Sequence, residues 1–129
     1  MGGEERATGG TILVVDDDEA VLTIVSRMLE RRGYTTYAVA SGEAAEEILE
    51  REGEVDLIVA DLRMPGISGA ELVRRARARC PRVAAIYISG YAEEPASLLE
   101  GELEEEVVLE KPFGSEQLLK AVGDALAGG

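Results

Sequence analysis

Residues 55–72 read VDLIVADLRMPGISGAEL, and the way this stretch is parsed decides the fold. Val55 to Ala60 is a short, largely apolar run with no in–out alternation, the pattern of a strand buried on both faces. Asp61 ends it. The MPGISG that follows is rich in breakers, with Pro65, Gly66 and Gly69 suited to a turn. Ser68 then stands at an N-cap position, ahead of a helix whose Leu72, Val73 and Ala76 share one face, and Pro81 closes that helix. A doubly buried strand followed by a helix is half of a parallel β–α unit, because parallel strands need crossover connections.

The same unit repeats in both directions along the chain. Upstream, Thr11 to Val15 (TILVV) is another buried strand. Residues 19–32 place Val21, Ile24, Val25, Met28 and Leu29 at helical spacing, with Arg31 and Arg32 near the end and Gly33 as a stop. Tyr34 to Val39 predicts a second strand. Ser41 caps a helix over about 42–52, where Ala45, Ile48 and Leu49 share a face. Downstream, Val83 to Ile88 (VAAIYI) predicts the fourth strand, and Pro95 and Gly101 confine residues 93–103 to a short or irregular helix. Val107 to Leu109 is a short fifth strand. Residues 115–126 carry Leu118, Leu119, Val122 and Leu126 on one face of a last helix. Five strands alternating with about five helices predict a single α/β domain with a parallel sheet covered on both sides. Right-handed crossovers with one reversal give the strand order 2-1-3-4-5, although alternation alone does not fix that order. The Gly-rich residues 1–10 read as a disordered leader or linker, which leaves 11–127 as the domain.

Composition narrows the functional classes. With 46% apolar and 30% charged residues the chain is globular, and its four Tyr, one Phe and no Trp leave the core to Val, Ile, Leu and Ala. Twenty-six acidic against 13 basic residues give a net charge of −13, a surface that repels nucleic-acid backbones and anionic lipids. The glutamates of 100–106 read as part of that solvated acidic surface. Cys80 is the only cysteine, expected as a half-buried thiol on a helix, so neither a disulfide nor a cysteine zinc cluster is available. No apolar run is long enough to span a bilayer, and a reducing, cytoplasmic setting is the expectation.

The chemistry lies at the ends of the strands. The first is followed by Asp16-Asp17-Asp18-Glu19, the third by Asp61, the fourth by Ser89-Gly90 and the fifth by Lys111-Pro112-Phe113. In a parallel sheet these ends share one edge, which is where ligands bind in doubly wound folds. Taken one at a time, each has an ordinary reading: helix caps for Asp16 to Asp18, a turn for Asp61 and MPGISG, a strand-ending turn for Ser89-Gly90, a surface lysine for Lys111. Taken together, carboxylates crowded at one edge call for a cation, and hard oxygen ligands suit Mg²⁺. A lysine and a hydroxyl add the means to hold an anion, so the set describes phosphoryl transfer to a carboxylate.

With these residues in hand, the chain resembles the receiver domains of two-component response regulators over roughly residues 11–126. The matching pieces are ILVVDDDEAV at 12–21, VDLIVADLRMPGISGAEL at 55–72, AAIYISGYAEE at 84–94 and LEKPF at 109–113. The resemblance implies a flavodoxin-like fold. It also implies that Asp61 is the phosphoacceptor, that Asp16 and Asp17 are the acidic pair with Asp17 the more direct Mg²⁺ ligand, and that the Arg63 backbone carbonyl completes the metal set. Ser89 matches the hydroxyl that senses the phosphoryl group, Lys111 the lysine that pairs with it, and Lys111–Pro112 a cis peptide bond. One departure stands out: the switch position three residues before the lysine, usually Tyr or Phe, is Val108. Arg63 also places a cation beside the pocket, and Tyr91 lies near enough in sequence to Ser89 to overhang it; Tyr87 reads as a packing residue.

The resemblance further implies a histidine kinase or histidine phosphotransfer domain as phosphodonor, necessarily outside this chain, which contains no His. A downstream partner would read the face formed by segment 93–103, the fifth strand and the last helix. The ISGYAEE and LEKPF wording is most similar to receivers of hybrid histidine kinases. Two other readings stay open: a degenerate receiver that docks partners without phosphorylation, and a small haloacid-dehalogenase-like phosphatase. Against the latter, Ala20 stands four residues after Asp16, where that family's motif has Thr or Val, and 129 residues hold no cap domain.

Overall fold

The computed structural model describes residues 10–90 and 107–128. Five strands and four helices follow one another among them: β1 Thr11–Val15, α1 Glu19–Arg31, β2 Thr35–Val39, α2 Gly42–Glu52, β3 Leu57–Asp61, α3 Gly69–Arg79, β4 Ala84–Ser89, β5 Val107–Glu110 and α4 Ser115–Gly128. Of the leader expected over 1–10, only Gly10 is described, its carbonyl accepting from Thr35 N at 2.9 Å; residues 1–9, the helix across 93–103, Tyr91 and the glutamates of 100–106 lie outside the described residues.

All strand pairings are parallel, and the order is β2-β1-β3-β4-β5. This is the flavodoxin-like arrangement, with its reversal of direction between β1 and β3. Every residue of β3 is buried, as the unalternating LIVAD requires. Side chains leave each strand alternately to two layers. Leu13, Val15, Ile58, Ala60, Ala85 and Tyr87 meet Ala45, Ile48 and Leu49 of α2 and Leu72, Val73 and Ala76 of α3. On the other face Ile12, Val14, Leu57, Val59, Ile86 and Ile88 meet Val25 and Leu29 of α1 and Leu118 and Val122 of α4.

Local signals set the helix starts. Asp18, Ser41 and Ser68 each accept a hydrogen bond from the first turn of α1, α2 and α3, from Ala20 N, Ala44 N and Glu71 N at 2.9, 3.1 and 3.1 Å. Gly33, just past α1, has a φ of 95°, a left-handed position that side chains avoid.

Several element bounds shift by a residue or two from the pattern reading, and three departures have a visible local cause or consequence. β3 begins at Leu57 rather than Val55, because Asp56 closes onto Thr11 instead: Asp56 N donates to Thr11 O and Thr11 N donates to Asp56 Oδ2, both at 2.8 Å. Ile24, expected on the inner face of α1, is 54% exposed; it sits at the margin of the stripe that Val25 and Leu29 occupy. Cys80 caps α3 rather than lying within it, and its thiol faces Gly53 O at 3.6 Å.

The sheet has two unlike rims. At the amino ends of the strands a cleft of about 500 Å³ is lined by Asp56, Cys80, Val83, Ala125 and Leu126 among others, and Gly10 stands beside Asp56. The carboxyl ends carry the groups considered next. No helix among the described residues is long and apolar enough to cross a membrane.

Candidate functional site

β1 delivers Asp16 to the carboxyl rim. Its backbone N–H still donates to Val39 O at 3.2 Å, so the residue is held in line with the sheet, and its side chain is fully buried. One carboxylate oxygen, Oδ1, accepts from Asp18 N at 2.8 Å. The other, Oδ2, has no hydrogen bond among the described residues and pairs with Lys111 Nζ at 3.5 Å. Asp17, exposed beside it, and Asp61 on the adjacent β3 complete a cluster in which one oxygen from each acid lies within 4.8 Å of the others. Asp18 turns away to cap α1. The acidic run is thus divided residue by residue, Asp18 capping α1 while Asp16 and Asp17 cluster with Asp61.

Asp61 ends β3 with 6% of its surface exposed. Its Oδ1 accepts from Arg63 N at 3.0 Å and its Oδ2 lies 3.4 Å from Lys111 Nζ. Lys111 follows β5, anchored through its backbone N–H to Ser89 O at 2.9 Å, and the Lys111–Pro112 bond is cis. Ser89, 3% exposed, is one residue beyond Ile88, the register partner of Asp61. Of the residues singled out in the sequence, Asp16, Asp17, Asp61 and Lys111 therefore meet in one place, and Ser89 ends the next strand. Arg63 reaches Asp61 through its backbone. Val108 lies half-buried in β5, and Pro112 is exposed at the turn.

The electrostatics are those of a site short of positive charge. Among the described residues, the three carboxylates and the Lys111 ammonium together carry two negative charges when all are ionised. Burial pushes the Asp16 carboxyl up to about 6; the Asp18 N–H opposes this, Asp61 adds to it, and Lys111 only partly offsets it. Burial pulls the Lys111 ammonium down, but the charges of Asp61 and then Asp16 more than compensate, and the net shift is upward. A buried carboxylate oxygen without a hydrogen bond, among hard donors carrying excess negative charge, fits a small divalent cation such as Mg²⁺.

One positioning residue escapes the sequence reading. Gly69 was expected merely to serve a turn, yet its φ is not left-handed. A Cβ there would stand 2.3 Å from the carbonyl oxygen of Asp61 and 3.4 Å from Ala60 Cβ. Only glycine lets the start of α3 press against the backbone of Asp61. The signal was the residue itself; the partner it touches is set by the return of the loop and could not be read locally.

Comparison with known proteins bears on the family and the fold. The response regulator receiver domain family matches residues 12–123. The sensor kinase CckA of Brucella abortus is 39% identical over 133 residues, 95% of this chain but 13% of the kinase. The transcriptional regulatory protein FixJ of Azorhizobium caulinodans is 36% identical over 115 residues, 88% of this chain and 53% of FixJ. The chain therefore spans about half or less of these two relatives. A crystal structure of a response regulator receiver protein from Sinorhizobium medicae superposes with a TM-score of 0.80 at 36% identity, covering 92% of this chain and 95% of that one. Sheet order and sequence agree, and the chain belongs to the response regulator receiver domains, the signalling switches of two-component systems.

Proposed function

We propose that this receiver takes a phosphoryl group from a phosphohistidine onto Asp61 and, once modified, presents an altered face to a protein partner. The observation that carries the reading is the placement of Lys111 Nζ 3.4 Å from Asp61 and 3.5 Å from Asp16, within a cluster of three carboxylates. Asp16, Asp17, Asp61 and the Arg63 carbonyl would hold Mg²⁺, with Asp17 the more direct ligand of the acidic pair. When bound, the ion would neutralise the charge that builds between carboxylate and phosphoryl oxygens.

The remaining work falls to the chain. The Arg63 N–H holds Asp61 Oδ1, fixing the carboxylate plane and leaving Oδ2 on the Lys111 side. A carboxylate oxygen of Asp61 forms the new P–O bond as the P–N bond of the donor breaks; the electron pair goes to that imidazole nitrogen, and the ring, already protonated on its other nitrogen, leaves as neutral histidine. Lys111 pairs with the transferred group, and the Ser89 hydroxyl donates to it. The donor is a histidine kinase or a histidine phosphotransfer domain outside this chain. The partner face includes β5 and α4. Water later cleaves the acyl phosphate, so no external substrate is turned over, and a net charge of −13 argues against direct nucleic-acid binding. A cytoplasmic location accords with this role.

Intact-protein mass spectrometry after incubation with a small-molecule phosphodonor and Mg²⁺ tests the proposal. A single phosphoryl mass gain, lost in Asp61→Asn and without added Mg²⁺, is the expected result; no gain, or a gain that survives Asp61→Asn, overturns it. Val108 favours a second reading, in which the chain docks its partner without phosphorylation. Equal partner affinity with and without the phosphodonor would select it.

A further inference from the structure

Val108 has no ring, but the sheet places one beside it. Tyr87 on β4 is the direct register partner of Val108 on β5 and of Ala60 on β3. Residues in register share a face, and so do residues two apart along a strand. The four sheet positions around Tyr87 on its own face are therefore Ala60, Ala85, Ser89 and Val108. None of these side chains is large. Tyr87 is the bulky side chain of this frame, 2% exposed, and it belongs to the layer packed on α2 and α3, against which Val108 is partly buried.

That frame joins three parts of the pocket. Ala60 immediately precedes Asp61. Ser89 is two residues along the same strand. Val108 lies on the strand that leads into Lys111, whose backbone N–H is fastened to Ser89 O at 2.9 Å. The two sides of the ring are not equally able to yield. On the β3 side, Ala60 and Asp61 are held against Gly69, where even a methyl group would stand 2.3 Å from the Asp61 carbonyl oxygen. On the β5 side lies the outermost strand of the sheet, four residues long, with Val107 42% exposed and Val108 half-buried.

We propose that Tyr87 couples the acceptor pocket to the partner face, a task that Val108 lacks the side chain to perform. This rests on the phosphoacceptor reading of Asp61. Drawing Ser89 toward a phosphoryl group displaces the carboxyl end of β4 and, with it, the ring two residues back. Interiors packed at crystal-like density pass such a displacement on rather than absorb it. It moves toward the side that yields, so β5 shifts or loosens at Val108. Tyr87 is a positioning residue in this scheme and touches neither metal nor phosphoryl group.

The test uses the full chain with beryllofluoride and Mg²⁺ as the phosphoryl mimic, following binding by titration and amide hydrogen exchange at Val107–Glu110 by NMR. In the parent chain and in Tyr87→Phe, binding should change exchange at Val108 by at least about fivefold, the lower end of ordinary coupling between sites. In Tyr87→Leu binding should persist, while the exchange response falls below about twofold. Should leucine fail to fold, Tyr87→Met fills a similar volume without a ring and carries the same expectation. The double change Tyr87→Val with Val108→Tyr, which returns the ring to β5, should restore the response. A ring-less variant that binds and still responds like the parent overturns the inference, as does a parent that binds with no response at Val108. A parent that does not bind the mimic instead refutes the phosphoacceptor reading itself.

Discussion

Replacing Asp16 by asparagine should stabilise the metal-free protein at neutral pH, although it removes part of the site. The Asp16 carboxyl ordinarily titrates at 3.8, and in the folded chain it is pushed up to about 6, foremost by burial. An acid whose folded value lies above its unfolded one favours the folded state while protonated. That contribution is complete below about pH 3.8 and disappears as the pH climbs through about 6. Above that window, keeping the ionised group buried costs at most about 3 kcal/mol, taking about 1.4 kcal/mol for each pH unit between the two values. Asparagine keeps the Oδ1 acceptor for Asp18 N–H and cannot ionise. Lys111 loses one ion-pair partner but retains Asp61. The net gain should be about 1–3 kcal/mol at about pH 7.5, or about 3–5 °C in Tm per kcal/mol for a chain of this size. Thermal unfolding followed by circular dichroism, with a chelator present, across about pH 4 to 8 measures it. The gain should shrink toward zero at the acid end. A variant no more stable than the parent at neutral pH, or one equally more stable at both ends, would refute the argument from a buried and poorly compensated charge.

Other consequences follow from the same coordinates. Magnesium affinity, measured by calorimetry, should be flat above about pH 6 and fall about tenfold per pH unit below it, because one proton on Asp16 competes with the ion; an affinity independent of pH would remove Asp16 from the metal set. Gly69→Ala should destabilise the fold by about 1–3 kcal/mol in urea unfolding and reduce phosphoryl uptake by mass spectrometry, because the new methyl must push back the Asp61 carbonyl. Ser68→Ala should cost about 1 kcal/mol through the lost cap of α3. By contrast, a double-mutant cycle on Glu46 and Arg75, a 2.9 Å pair on the surface between α2 and α3, should return no more than about 1 kcal/mol.

The strands and the site were legible in the sequence to very different depths. Buried parallel strands announce themselves because both faces must be apolar, and the caps announce themselves because an orphan N–H needs an acceptor within three residues. Asp16, Asp17, Asp61 and Lys111 could be placed on one rim because each follows a strand, and parallel strands align their ends. What could not be read depends on which residues meet across the fold. Gly69 looks like any turn glycine until the chain returns it to the Asp61 carbonyl. Tyr87 looks like any packing residue until the register sets it between Ala60 and Val108. Ile24 carries the same apolar signal as Val25, and only the rotation of α1 against the sheet separates the exposed side chain from the buried one.

The opposition of the two rims has a consequence for how such a unit can be built into larger proteins. Gly10 stands by Asp56 and Leu126 lines the same cleft, so both described ends of the chain emerge on the side away from the acidic pocket. A tether fused at either described end would begin on the rim opposite the acids.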